Sequence, residues 1–289
     1  MSHGLDLRPP SALQYFATLV ARDEGLPLLE AAVAVAQHAR PEIDIQAVLA
    51  EVDSLAAALV RRIPTDAGAL QRLQLLNPYF FGELGFAGNV NHYEDPANSD
   101  LSAVLSRRRG IPITLAVLYL EFAAQVGLSA VGVSFPGHFL VKLRLPQGEV
   151  AIDPFSGRSL SREELEEWLQ PWRQRMSLAA DDAPPLGLFL QPAGGREIIA
   201  RMLRNLKALY RGEGKLPNLL AVQERLVVLL PDDALEKRDR ALLLAELGRL
   251  DRACDDLAAY LAARPDAEDA PALRQRLAGW RQQPPPALH

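Results

Sequence analysis

His138 and Asp153 are the side chains of this chain best suited to acid–base chemistry. His138 follows the turn pair Pro136-Gly137, and Asp153 precedes Pro154. The β-rich runs 138–145 and 149–152 flank Pro146, Gln147 and Gly148, which reads as an antiparallel hairpin. A hairpin centred near Gln147 pairs residues whose numbers sum to about 294. That register sets His138 and Asp153 within a few positions of each other on neighbouring strands. An imidazole oriented by a carboxylate is the arrangement of a general base. Two plainer roles compete with it: aspartate before proline closes a turn, and a histidine at a strand edge binds a backbone carbonyl. The hairpin alone does not choose between these readings.

Other reactive types are sparse. Thr114 sits one turn into an apolar helix. Its hydroxyl becomes a nucleophile only beside a strong base, and packing is the alternative. Cys254 is the sole cysteine, which excludes an internal disulfide and a multi-cysteine zinc site and fits a reducing compartment. Arg107, Arg108 and Arg109 stand near Asp95 and Asp100, and one guanidinium is expected to anchor that loop by paired hydrogen bonds. Asn98 and Ser99 are expected to cap a short helix over 101–106. His92 and Tyr93 lie in a Gly- and Asn-rich loop, where exposed polar and aromatic residues mark contact surfaces. The candidate contact set is His92, Tyr93, Asn98, Arg108, His138 and Asp153. No metal-ligand spacing links the histidines, so neither metal nor cofactor is expected.

The elements that position these residues emerge from periodicity. Leu13, Phe16, Ala17 and Val20 recur at helix spacing, as do Leu28, Leu29, Ala32, Val33 and Ala36. Val48, Val52, Leu55, Leu59 and Ile63 form one apolar stripe, and a further helix passes through Leu73, Leu76, Phe80 and Phe81. The stretch 85–99 reads as a loop. An apolar helix runs from Pro112 to Val126, with Gly127 as its stop. Three β-runs come next, at 130–135, 138–145 and 149–152. Ser161 and Glu164 form a capping box, with Leu160 and Leu165 as a staple, opening a helix through Trp168 and Trp172. The first 194 residues thus form an α+β domain with a small antiparallel sheet. The Pro- and Gly-rich stretch 181–195 is the expected linker.

Residues 195–289 are expected to be all-helical. Pro231-Asp232 recurs as Pro265-Asp266, 34 residues on; the same shift superposes Gly214 on Gly248, Leu209 on Leu243, Leu226 on Tyr260 and Val227 on Leu261. That period is the one of tetratricopeptide repeats, whose stacked hairpins offer a concave surface to a protein partner. Pro217 and Asn218 make the first copy degenerate, and the proline-bearing end after residue 281 is expected to fray.

Hydrophobic residues make up 49% and charged residues 23%, with a formal net charge of −5. This balance excludes a disordered chain and gives no basic footprint for nucleic acid. No apolar run reaches membrane-spanning length, and no secretory signal is expected at the start. The expected location is the cytoplasm; oligomeric state is not set by these features.

The segment 88–155 carries GNVNHYEDPANSDLSAVLSRRRGIPITL, then FPGHFLVKL, then AIDPF in fixed order. This text resembles the SirB-type bacterial branch of the transglutaminase-like superfamily, whose members often bear C-terminal tetratricopeptide repeats. The resemblance covers essentially the whole chain, with segment 88–155 its specific part. It implies a cysteine-protease-like core in which a helix-starting cysteine, a strand-opening histidine and an aspartate on the next strand form an activated thiol. His138 and Asp153 match the histidine and aspartate. In the family the cysteine precedes the helix stop by 15 positions, which falls here on Pro112. The resemblance therefore implies a pseudoenzyme, with His138 and Asp153 as a relict pair. The alternative is a hydrolase or transferase of altered chemistry that uses this pair without a cysteine.

Overall fold

A computed structural model describes residues 10–176 and 184–282. The opening residues examined for a signal, the first part of the expected linker and the proline-bearing end beyond residue 282 lie outside the described residues. The chain divides into two compact units. One comprises Asp23–Met202; the other joins the N-terminal residues through Arg22 to the chain from Leu203 onward. Helix α1 (Ala12–Leu19) belongs to the latter. It opens with a capping box between Ser11 and Gln14.

In the unit Asp23–Met202, α2 (Leu28–Ala36), α3 (Ile45–Val60) and α4 (Ala69–Asn77) precede one turn of π-helix, Pro78–Glu83. The two-residue strands β1 (Ala87–Gly88) and β2 (Arg109–Gly110) pair in parallel around a 3-10 turn, Pro96–Ser99, and helix α5 (Leu101–Arg107). Helix α6 (Pro112–Gln125) is buried over most of its length. It touches α2, α3, α4 and α5 as well as β3 (Ala130–Val133) and β4 (Leu140–Leu145). Its apolar sequence is thus that of a central helix, with exposure confined to its last turns around Ala124. Pro112 takes its first turn, where a missing N–H costs least.

β3, β4, β5 (Gly148–Ile152) and β6 (Ser159–Leu160) form an antiparallel sheet in that order. Leu145 pairs with Gly148 and Arg144 with Glu149. The pairing is thus displaced by one partner from the expected register, and β6 is an additional strand. The capping box of Ser161 with Glu164 opens α7 (Arg162–Arg175). Leu160 and Leu165 share a buried cluster with Val133, Phe135, Leu140 and Leu169.

The described part of the expected linker is attached to this unit. It holds α8 (Leu186–Phe189), whose Leu186 enters the same buried cluster. The Ala193 N–H donates to the Gly132 carbonyl at 2.8 Å. Its proline content signals irregular backbone, but Leu186, Phe189 and Leu190 supply apolar surface that burial against the sheet recovers.

Helices α9 (Gly195–Gly212), α10 (Leu216–Leu229), α11 (Ala234–Glu246), α12 (Leu250–Ala263) and α13 (Ala270–Gln282) complete the element order. Gly214 and Gly248, one period apart, both take left-handed φ, 67° and 73°, at equivalent helix turns. Leu226 and Tyr260 are fully buried at matching positions. Pro217 falls in the first turn of α10, a tolerated place for proline. Around Glu236, Lys207 Nζ and Gln223 Nε2 reach one carboxylate oxygen at 2.7 and 2.9 Å, and Arg204 Nε reaches the other at 3.0 Å.

Candidate functional site

The hairpin brings His138 and Asp153 into direct contact. His138 Nε2 lies 2.7 Å from Asp153 Oδ1. Asp153 is 4% exposed. The same Oδ1 accepts the Phe155 N–H at 2.9 Å, while Oδ2 accepts the Ser156 N–H at 3.2 Å and the Ser156 hydroxyl at 2.5 Å. Asp153 therefore closes the Asp-Pro turn and holds the imidazole at once; the two roles read from the sequence coexist. Burial pushes its carboxyl upward, but the hydrogen bonds from His138, Ser156 and Phe155 outweigh this and hold it below the ordinary aspartate value. An ionised Asp153 accepts a hydrogen bond, so in a neutral imidazole Nε2 carries the proton and donates it. Nδ1 then keeps its lone pair and has no partner among the described residues.

The backbone that carries His138 is fixed from α9. Arg201 donates to Ser134 Oγ at 2.7 Å, to the Phe135 carbonyl at 3.2 Å and to the His138 carbonyl at 2.6 Å. The guanidinium is half-buried and lies over the Phe139 ring, 5.6 Å from its centroid. Sequence reasoning missed Arg201, which stands 63 residues from His138 in a different element. No local spacing signals such a contact.

His138 opens onto a cleft of about 550 Å³ whose lining includes Asp153, Phe155, Trp168 and Trp172. The Trp168 ring meets His138 edge-on at 4.9 Å between centroids, and Phe155 lies 6.5 Å from it. Tyr93 stands 5.9 Å from Phe155, continuing the aromatic series, and is 51% exposed. The signal for the tryptophans was present in the sequence. Two indoles one turn apart on the polar helix α7 are out of place on a purely solvated face.

The remaining candidates are placed elsewhere. Asn98 is buried, and its amide donates to the His92 and Tyr93 carbonyls at 2.7 and 3.0 Å. It organises the loop from within rather than presenting a contact surface. The cap of α5 is Asp100, not Asn98 or Ser99, because its carboxylate reaches the N–H groups of Ser102 and Ala103. His92 is exposed, with its N–H on Asn89 Oδ1. The guanidinium that anchors the loop is Arg107, on Asp95 at 2.9 Å. Arg108 instead ends α5 with left-handed φ 57° and lies over the Phe86 ring at 4.8 Å; it does not line the cleft.

Thr114 is fully buried. Its Oγ1 donates to the Asn98 carbonyl at 2.8 Å and accepts the Ile111 N–H at 3.2 Å. The hydroxyl ties the loop to the start of α6, which explains a polar residue in that helix, and Thr114 is not among the residues that line the cleft of His138.

Phe155 is seated by a close approach. The Gly88 N–H donates to the Phe155 carbonyl at 2.8 Å, and a Cβ at Gly88 would lie 2.4 Å from the Phe155 ring. Gly88→Ala should therefore push the ring from its place and lower stability by about 1–3 kcal/mol. Urea unfolding measures the loss, and displaced His138 and Tyr93 ring resonances report the movement. Unchanged resonances would show that the ring has another support.

Comparison with known proteins places this geometry. Residues 46–204 match the transglutaminase-like superfamily, and residues 206–278 match the tetratricopeptide repeat. The chain is 35% identical over 260 residues to a UPF0162 protein of Xylella fastidiosa strain Temecula1, covering 88% of this chain and 90% of that protein. It is 31% identical over 220 residues to a UPF0162 protein of Pseudomonas aeruginosa, covering 76% and 78%. Protein SirB1 of Salmonella typhimurium is 28% identical over 244 residues, covering 83% and 87%. No solved structure matches. With an α+β unit whose hairpin joins a histidine to an aspartate, followed by tetratricopeptide helices, the chain belongs to the transglutaminase-like superfamily and, within it, to the family of the UPF0162 and SirB1 proteins.

Proposed function

We propose that this protein is a non-catalytic interaction protein of the cytoplasm, in which the transglutaminase-like unit is a scaffold and the tetratricopeptide helices hold a protein partner. The observation that carries this reading is the chemistry available at the start of α6. The position where the family's thiol is expected is Pro112, and the nearby Thr114 hydroxyl is buried and engaged by the Asn98 carbonyl. Cys254, the sole cysteine, lies in α12 of the repeats. Nucleophilic acyl transfer requires an activated thiol or hydroxyl beside the base. The repeats supply the kind of surface that binds proteins, and no helix among the described residues is long and apolar enough to cross a membrane.

The expected result is background incorporation of a fluorescent amine into a glutamine-donor protein at every pH tested. Iodoacetamide should label Cys254 alone, and Cys254→Ser should abolish labelling. One observation favours a second reading, a hydrolase or transferase that uses His138 as base: among the described residues its Nδ1 has no partner, and it lies beside an open cleft. Amine incorporation that disappears in His138→Ala would decide for that reading.

A further inference from the structure

One wall of the cleft is a single face of α7. Glu167, Trp168, Pro171, Trp172 and Arg175 all line it. Their spacing keeps them within one side of the helix, and the nine residues from Glu167 to Arg175 span about 12 Å along its axis. The two ends of this stripe carry opposite charge. Both side chains are exposed, and neither forms an ion pair among the described residues. Among the described residues Arg175 donates through Nε alone, to the Pro171 carbonyl at 3.3 Å. Its neighbour Arg173 is already engaged by Glu166 at 2.7 Å.

The middle of the stripe offers flat apolar surface and free donors. The Trp168 and Trp172 rings are braced edge-on by His138 and Phe189, each at 4.9 Å. Neither indole N–H has a hydrogen-bond partner among the described residues. Pro171 lies inside the helix and has no N–H to give to the Glu167 carbonyl one turn earlier. The Glu167 end of the stripe presents an exposed carboxylate. It suits a cation, while the Arg175 end suits an anion.

We propose that this face binds an extended, proline-containing segment of a partner protein, with a basic residue at the Glu167 end and an acidic residue at the Arg175 end. A polyproline-type strand rises about 3.1 Å per residue, so about four residues cover the stripe. Such a strand makes no internal hydrogen bonds. Its carbonyls accept indole N–H groups while its rings pack on the indole faces. This names the kind of partner for the transglutaminase-like unit and rests on the interaction-protein reading.

The test uses the full chain carrying Trp280→Phe, so that only Trp168 and Trp172 fluoresce. Acetylated and amidated Lys-Pro-Pro-Glu, Lys-Pro-Pro-Lys and Glu-Pro-Pro-Glu are titrated against it. The Lys/Glu peptide should bind about fivefold more tightly than either like-charged one, the scale of one or two exposed charge pairs. Glu167→Lys should move the preference to Glu-Pro-Pro-Glu, and Arg175→Glu to Lys-Pro-Pro-Lys. Both changes lie at exposed positions, so folding is not at stake. No fluorescence response to any peptide, or one charge ranking shared by all three proteins, would overturn the proposal. Neither outcome would bear on the amine-incorporation test of the non-catalytic reading.

Discussion

Asp153→Ala should remove about 3–5 kcal/mol from the stability of the unit Asp23–Met202. The carboxylate accepts from the His138 ring, from two backbone N–H groups and from the Ser156 hydroxyl while almost fully buried. Truncation removes a buried acceptor shared by four donors, and each donor left orphaned away from water costs about 1–3 kcal/mol. Asp153→Asn keeps the shape but turns an amide NH2 toward donors, and should cost about half as much. The carboxyl titrates below its unfolded value. Its stabilisation is therefore complete above the unfolded pKa near 3.8 and disappears as pH falls through the lower folded value. Asp153→Asn should flatten that acid limb. Urea titrations followed at Trp168 and Trp172 measure both effects, since these indoles share a unit with Asp153. An unchanged midpoint would show that the turn and the His138 loop stand without the carboxylate.

Glu236→Ala should have a comparable effect in the other unit, about 3 kcal/mol. The Glu236 side chain is 6% exposed and gathers Arg204, Lys207 and Gln223. Burial raises its carboxyl, but the hydrogen bonds from Lys207 and Gln223 and the Lys207 charge more than compensate, and the group titrates below its ordinary value. Lys207 retains Asp239 at 2.6 Å, which limits the loss. Pairing Glu236→Gln with Lys207→Met in a double-mutant cycle should give a coupling of about 1–3 kcal/mol. The Trp280 signal on α13 reports this unit, and transitions at the two sets of tryptophans need not coincide in a chain of two units. A coupling near zero would mean that Asp239 alone satisfies the lysine.

The features read correctly from the sequence are those whose cause is local. The His138–Asp153 contact spans 15 residues across one hairpin. The pairing is displaced by one partner, and the pair still lies within the few positions expected. The helical repeat was visible because Gly214 and Gly248 must both adopt left-handed backbone, and because Leu226 and Tyr260 fill equivalent buried positions. Where local rules compete, the sequence misled. Asn98, Ser99 and Asp100 are all capping types, and only packing decides that Asp100 caps while Asn98 turns inward. Three consecutive arginines look alike until Arg107 is seen on Asp95 and Arg108 on Phe86. The Arg201 clamp and the indole-lined cleft depend on distant segments meeting, which no window of sequence contains.

The lock between Gly88 and Phe155 also bears on the order in which the site assembles. The hairpin that joins His138 to Asp153 closes a short loop. The Gly88 to Phe155 hydrogen bond closes one of roughly 70 residues, and the extra chain entropy lost is about 1.3 kcal/mol. A refolding chain therefore reaches the imidazole–carboxylate contact by local zipping, ahead of the aromatic wall that Phe155 completes. On loop-closure grounds the dyad is expected to form first, with the cleft finished around it.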